Sequence, residues 1–356
     1  MLIKKLNFNH YKLIKKFLKF NNSSLPSKKS LKSFNDITKK NSSFFMEGLF
    51  QNNKLVGYHS VIIKLLIFRK KTYKILVSSN WNVSKKYRKG SFFLINNYFN
   101  QNCDFFLTTT ANEKASIVWK TLGGVGVNPI TSKLALFQIV NYSKLIENYL
   151  RRKKIKFIPK LIIYVFSFFV EFFNKKKNYD YLNCNLEFNE ITENSYKLEN
   201  FNKKFEINCK YPVEKRSNFI LSRNINSLKL NKKKTYIYEI LDKKKMIGYF
   251  VLAKERYAGI KRIFICDVRI DYKYYKFINF ILDFINLIAK KENCTYLYYK
   301  NINPTIFKKI NLKNFLITKY NFNPYMIKIG SKKGKKLKKY LINNWGTSYL
   351  DGDCLL

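Results

Sequence analysis

The chain has 356 residues, 46% hydrophobic and 17% aromatic, which is enough apolar material for two packed domains and excludes disorder for its bulk. The formal net charge is +47, with lysine spread along the whole length beside abundant asparagine, isoleucine, phenylalanine and tyrosine; it reads either as compositional bias or as selection for a polyanionic partner. Six cysteines form no CxxC pair and only His10 and His59 are present, which speaks against a zinc site and leaves almost nothing from which to build a Ser-His-Asp triad.

In chain order, Ile3 to Phe8 reads as a strand and Asn9 as the cap of a helix through Phe20, with Leu13, Ile14, Phe17 and Leu18 on one side. Met1 to Phe20 alternates lysine with apolar residues and lacks the apolar core of a signal peptide, so a cytoplasmic protein, peripheral at most on the inner membrane face, is expected. Asn21 to Ser43 reads as loop, and Phe44 to Gln51 with Leu55 to Phe68 as a hairpin. Next come a strand (Lys74 to Val83), a basic turn (Lys85 to Gly90), a helix (Ser91 to Gln101), a strand (Cys103 to Thr110) and a helix opened by Asn112. A basic, glycine-containing turn between a strand and a helix N-terminus suits an anion, because unpaired amides and the helix dipole both favour one.

Leu134 to Val140 reads as a further strand and Tyr142 to Phe173 as helix. Its apolar stretch, Leu161 to Phe173, falls short of the roughly 20 residues of a membrane span. It lies between Arg151-Arg152-Lys153-Lys154 and Lys175-Lys176-Lys177, leaving two readings: a buried inter-domain helix, or an interfacial helix on anionic lipid.

The second half echoes the first. Lys54 to Tyr58 matches Lys245 to Tyr249 (248 − 57 = 191), and Asn102 to Leu107 matches Asn293 to Tyr298 at the same offset, which also pairs Asn112 with Asn303. One unbroken register would set Arg88-Lys89-Gly90 opposite Asn279-Phe280-Ile281 and deprive the second copy of any phosphate cradle. Chemistry with a phosphate-bearing cosubstrate is then expected in the first copy.

Two segments carry a family likeness: Val83 through Gly90, and Ala111-Asn112-Glu113-Lys114-Ala115 through Trp119 to Gly123-Gly124. Together they resemble the pyrophosphate turn and the later Ala-Asn segment of the GNAT acetyltransferase superfamily. The repeat is similar to double-GNAT and FemAB-like proteins, and the ending at Trp345-Gly346-Thr347 with Asp351 and Asp353 resembles GNAT-type proteins of surface-polysaccharide assembly. The resemblance implies an α/β (α+β) fold of two GNAT-like domains in tandem, each a mixed, mostly antiparallel twisted sheet flanked by helices. Expected boundaries are 1–140, a helical connector 141–178, 179–330, and a basic tail 331–356.

The implied activity is N-acyl transfer from acetyl-CoA or another acyl-CoA to an amine, such as a small-molecule or lipid-linked saccharide acceptor. By carry-over, Arg88, Lys89, Gly90 and Ser91 face the pyrophosphate, Asn112 meets the cofactor arm, and Leu76 to Asn82 lines the thioester. Departures accompany it: Phe92 and Phe93 stand where the family prefers small residues, Trp119 stands where it has a tyrosine acid, and the strand Lys74 to Val83 has no carboxylate. His59 or Tyr58 on the neighbouring strand is therefore the candidate base, acting through a water. Two other readings are a FemAB-type transferase using charged tRNA and an inactive binding protein; a metal is not expected.

Overall fold

The computed structural model describes residues 1–6, 10–20, 44–109, 111–128, 130–153, 155, 158–173, 185–192, 196–209, 211–215, 234–257, 259–300, 302–322 and 324–345. The expected loop at 21–43, Lys175 to Lys177, and Asp351 with Asp353 lie outside them. The first elements are β1 (Leu2–Leu6), α1 (Tyr11–Phe20), β2 (Phe44–Gln51), β3 (Lys54–Phe68), β4 (Lys71–Val83), a 3-10 turn (Lys85–Gly90), α2 (Ser91–Phe99), β5 (Phe105–Thr108), α3 (Glu113–Thr121), β6 (Val125–Gly126) and β7 (Leu134–Ile139). There follow α4 (Tyr142–Arg152), α5 (Lys160–Phe173), β8 (Leu186–Glu190), α6 (Tyr196–Asn208), β9 (Val213–Glu214), β10 (Lys234–Asp242), β11 (Lys245–Tyr257) and β12 (Ile260–Ile270). A second 3-10 turn (Tyr272–Phe277) leads to α7 (Ile278–Lys291), β13 (Tyr296–Lys300), α8 (Pro304–Phe307), β14 (Leu316–Lys319), β15 (Met326–Ile329), α9 (Lys332–Lys335) and α10 (Lys338–Asn344).

These elements form two compact units: Met1–Lys133 with Asn202–Lys232 and Asn321–Leu356, and Leu134–Phe201 with Lys233–Tyr320. The sheet of the first runs β1-β2-β3-β4-β5-β15-β6, with β9 beside β3; that of the second runs β14-β7-β13-β12-β11-β10-β8. Each sheet is mixed, with one parallel pair, β4 with β5 and β12 with β13, among antiparallel neighbours. Contiguous halves are thus departed from: β7 follows the first copy but pairs in the second sheet, and β15 follows the second copy but pairs in the first. Residues 331–345 are likewise no tail. Leu337, Leu341 and Trp345 are buried against Phe105, Leu107, Tyr325 and Ile327 in the first unit's core.

The strand pairing corrects the repeat register. Gly57 and Gly248 keep the offset of 191, but Ser84 and Asp271 precede equivalent 3-10 turns (271 − 84 = 187), and Cys103 and Cys294 return to 191. The second copy has a hairpin four residues shorter, two on each strand: the offset falls from 191 at Gly57 and Gly248 to 189 at the hairpin tip (257 − 68 and 260 − 71) and 187 at Val83 and Ile270, and a correspondingly longer helix follows. The counterpart of Lys85-Lys86-Tyr87-Arg88-Lys89-Gly90 is therefore Tyr272-Lys273-Tyr274-Tyr275-Lys276-Phe277, which keeps two of the lysines and loses Arg88 and Gly90.

In the first unit, one face of the sheet carries α1, whose Ile14, Phe17 and Leu18 meet Met46, Phe50 and Tyr58. The other face carries α2 and α3, whose Tyr98 and Trp119 meet Val61, Leu76 and Phe106. In the second unit α7 buries Ile278, Ile281, Leu282 and Ile285 on its sheet, the apolar stripe that helical spacing predicts.

Candidate functional site

The site expected in the first unit is built where β4 leaves β5. Their parallel ladder runs from Ile75 opposite Phe105 to Ser78 opposite Thr108, after which β5 ends while β4 continues to Val83. Between Ser79 and Asn82 β4 also carries a bulge against β3, two residues opposing His59 alone. The bulge turns β4 as it parts from its neighbour. The Tyr98 hydroxyl sits at the base of the opening, donating to Leu76 O at 2.5 Å and accepting from Leu107 N at 3.3 Å. It is wholly buried, and desolvation holds its pKa well above the ordinary phenol value.

The basic turn closes the end of β4. Arg88 and Lys89 are exposed on it, and Ser91 Oγ donates to Arg88 O at 2.6 Å. Tyr87 N–H is bonded to Ser84 O and Ser91 N–H to the carbonyls of Arg88 and Lys89, so this is a closed 3-10 turn running into α2. An anion at this turn would meet the exposed side-chain cations of Arg88 and Lys89. Gly90 has ordinary right-handed helical angles and is buried, with a Cβ built on it only 2.6 Å from Met1 Sδ and 2.7 Å from Leu49 Cδ2. A side chain at that position would have to displace the ends of Met1 and Leu49. Phe92 and Phe93 stand exposed at the first turn of α2.

Asn112 lies on the other side of the opening, after β5, and its Oδ1 accepts from Ala115 N at 2.9 Å as the cap of α3. Asn303 caps α8 in the same way, so the pairing of the two asparagines reports a shared helix start. The rest of that motif is also structural: Trp119 is buried edge-on to Phe99 at 5.1 Å, and Gly123, at φ +85°, ends α3 while Gly124 N bonds Trp119 O at 2.7 Å.

The two candidate bases point to opposite faces of the sheet. Tyr58 packs under α1, its pKa raised by burial and partly offset by a hydrogen bond with Asn82. His59 faces α2, edge-on to Tyr98, with Nε2 2.8 Å from Ser78 Oγ. Burial lowers its pKa to about 3, so at neutral pH it is an uncharged imidazole. Glu47 is its cross-strand partner, with Oε1 accepting from Asn97 Nδ2 at 2.7 Å and a carboxyl raised by desolvation first of all. Glu47 Oε2, His59 Nδ1 and Trp81 Nε1 are buried without a hydrogen-bond partner among the described residues.

Sequence reasoning named His59, and Ser78 only within the stretch Leu76 to Asn82, but missed Glu47 and Tyr98; strand pairing brings Glu47 beside His59, and α2 brings Tyr98. The second unit offers the contrast. By the same strand register Tyr238, Phe250 and Ile265 replace Glu47, His59 and Ser78, and counting from the helix starts (278 − 91 = 187) sets Ile285 in place of Tyr98; Tyr238 stacks on Phe250 at 5.2 Å. Its core there is apolar and aromatic where the first unit is polar.

A pH effect follows. Between pH 6.5 and about 3 the unfolded chain binds a proton at His59 that the folded chain refuses, so this residue makes stability fall as pH drops through that window. The slope reaches about 1.4 kcal/mol per pH unit. Glu47, raised on folding, acts in the opposite sense above its ordinary value. Comparing melting temperatures of the native chain and His59→Phe, which installs the second unit's residue, isolates the histidine: the variant is expected to lose less stability on acidification.

No protein-family model matches the chain, and no curated protein sequence matches it. Solved structures do match, and they define a class: the chain has the mixed α/β fold of GCN5-related N-acetyltransferases. A protein from Enterococcus faecalis described as a probable N-acyltransferase superposes with a TM-score of 0.59 at 10% identity, covering 94% of this chain and 73% of that one. A GCN5-related N-acetyltransferase from Anabaena variabilis gives 0.56 at 12% identity over 93% and 73% of the two chains, and one from Kribbella flavida 0.52 at 8% over 92% and 71%.

Proposed function

We propose that the first unit is an acyl-CoA-dependent N-acyltransferase. The observation that supports it best is the parting of β4 from β5 with a cationic turn at the end of β4. Acyl-CoA lies along the opening, its pyrophosphate beside Arg88 and Lys89 and its arm toward Asn112, while Gly90 and Ser91 shape the turn. The acceptor's neutral amine nitrogen attacks the thioester carbonyl, the tetrahedral intermediate collapses with loss of the C–S bond, and CoA leaves as the thiolate. The proton released by the attacking nitrogen passes to water at the opening and finally to the departing thiolate; the uncharged His59 positions Ser78 through their 2.8 Å contact, and Tyr58, on the opposite face, positions β4 through Asn82. The acceptor class is an amine on a small molecule or lipid-linked saccharide, in the manner of the polysaccharide-type proteins that the ending of the chain resembles.

Acetyl-CoA is expected to raise the melting temperature of the purified protein, by the equivalent of about 2.7 kcal/mol at a hundredfold excess over Kd. Arg88→Glu with Lys89→Glu should abolish that rise without lowering the ligand-free melting temperature, since both side chains are exposed. The absence of a shift with acetyl-, succinyl- and long-chain acyl-CoA would refute the proposal. Steeply salt-dependent tRNA binding in its place would favour the aminoacyl-tRNA reading.

A further inference from the structure

The α4–α5 segment of the second unit departs from the buried connector helix that was one expectation for it. Leu161, Ile162, Tyr164, Phe166, Phe168 and Phe169 are all more than half exposed, Leu161 at 74% and Phe168 at 65%. Among the described side chains of α5, only Ile163 and Ser167, one turn apart, are buried, and Ser167 Oγ lies 2.7 Å from Ser143 Oγ of α4. A helix apolar around most of its circumference and turned outward needs a non-aqueous cover.

Its 14 residues rise about 21 Å, against the ~30 Å of a bilayer core, and no helix among the described residues is long and apolar enough to cross a membrane. The end of α4 supplies the second observation: Arg151, Arg152 and Lys153 are exposed immediately before the apolar segment, beside Tyr149, an exposed aromatic of the kind that sits at headgroup level. A second copy of the chain, with its own net charge of +47, is a poor cover, because it brings no counter-charge to the cations at the end of α4. A lipid surface with anionic headgroups satisfies both the apolar face and the charge.

We propose that α5 is an interfacial anchor that lays the second unit on an anionic membrane surface, its rings at the acyl boundary and Arg151, Arg152 and Lys153 among the phosphates. The inference is independent of the acyl-transfer reading, since it uses no residue of that site.

The test is co-sedimentation of the full chain with vesicles of phosphatidylcholine alone and of equimolar phosphatidylcholine and phosphatidylglycerol at physiological salt. The native chain is expected to pellet with the mixed vesicles. Phe166→Asp with Phe168→Asp should lower partitioning about tenfold or more, while changing little of the overall positive charge. Arg151→Glu with Arg152→Glu should remove the preference for the anionic vesicles. Three results would each overturn the assignment: a native chain left in the supernatant, an aspartate variant that binds as well as the native chain, or an aspartate variant with a lowered melting temperature, which would show the rings packed against protein. A dimer in sedimentation velocity that the aspartate variant dissociates would overturn it as well, in favour of a second copy.

Discussion

Trp345→Ala is expected to cost about 3–5 kcal/mol of stability, and truncation after Gly330 to leave the first unit unable to hold its sheet. Trp345 is 1% exposed and belongs to the cluster that includes Leu66, Tyr73, Ile75, Val77, Phe105 and Leu107 on one face of that sheet. Asn128, at φ 43°, fixes the segment from the backbone side: its N–H reaches Ile342 O at 2.6 Å and its Nδ2 donates to Trp345 O at 2.8 Å. Removing the indole leaves a cavity in a core most of whose other walls are sheet residues with little freedom to collapse. A total stability of about 5–15 kcal/mol makes such a loss a large fraction of the whole. Urea unfolding followed by far-UV circular dichroism measures it; a midpoint unchanged from the native chain would show that 331–345 is dispensable decoration.

The same segment shows where the sequence ceased to be legible. Lys332, Lys333, Lys335 and Lys336 read as a solvated tail because the surface is lysine-rich throughout, and the three apolar residues that matter are set at helical spacing among them. Strand identity was legible in β7 and went unread in β15, and strand partnership was legible in neither, since alternation encodes a half-buried face and says nothing of which sheet receives it. The repeat was legible at its caps and turns, where Asn112, Asn303 and Pro304 have local causes. A compensating hairpin shortening and helix lengthening hid inside it, because both ends share one offset. For α5, an apolar run has the same periodicity whether protein or lipid covers it. The basic turn was found from its residues; the Glu47, His59 and Ser78 cluster needed the register of three strands.

Tyr98→Phe is expected to have an effect out of proportion to the single oxygen it removes. The ring stays packed against Phe99, Phe106 and Trp119, so there is no large cavity to open. What is lost is the hydroxyl bonded to Leu76 O and Leu107 N at the base of the opening, and each buried backbone group left unpaired costs about 1–3 kcal/mol. The second unit closes the equivalent place with Ile285, which has no hydroxyl, so the fold itself does not demand one there. The tyrosine is instead tied to the unit whose strands bracket a basic turn and a polar cluster. On the acyl-transfer reading, Tyr98→Phe should both lower the melting temperature, measured by calorimetry, and shrink the acetyl-CoA shift, because β4 and β5 are no longer held at a fixed separation where the thioester would lie. A variant that is destabilised yet keeps the full acetyl-CoA shift would make Tyr98 a structural strut alone and would place the ligand away from the parting of the two strands.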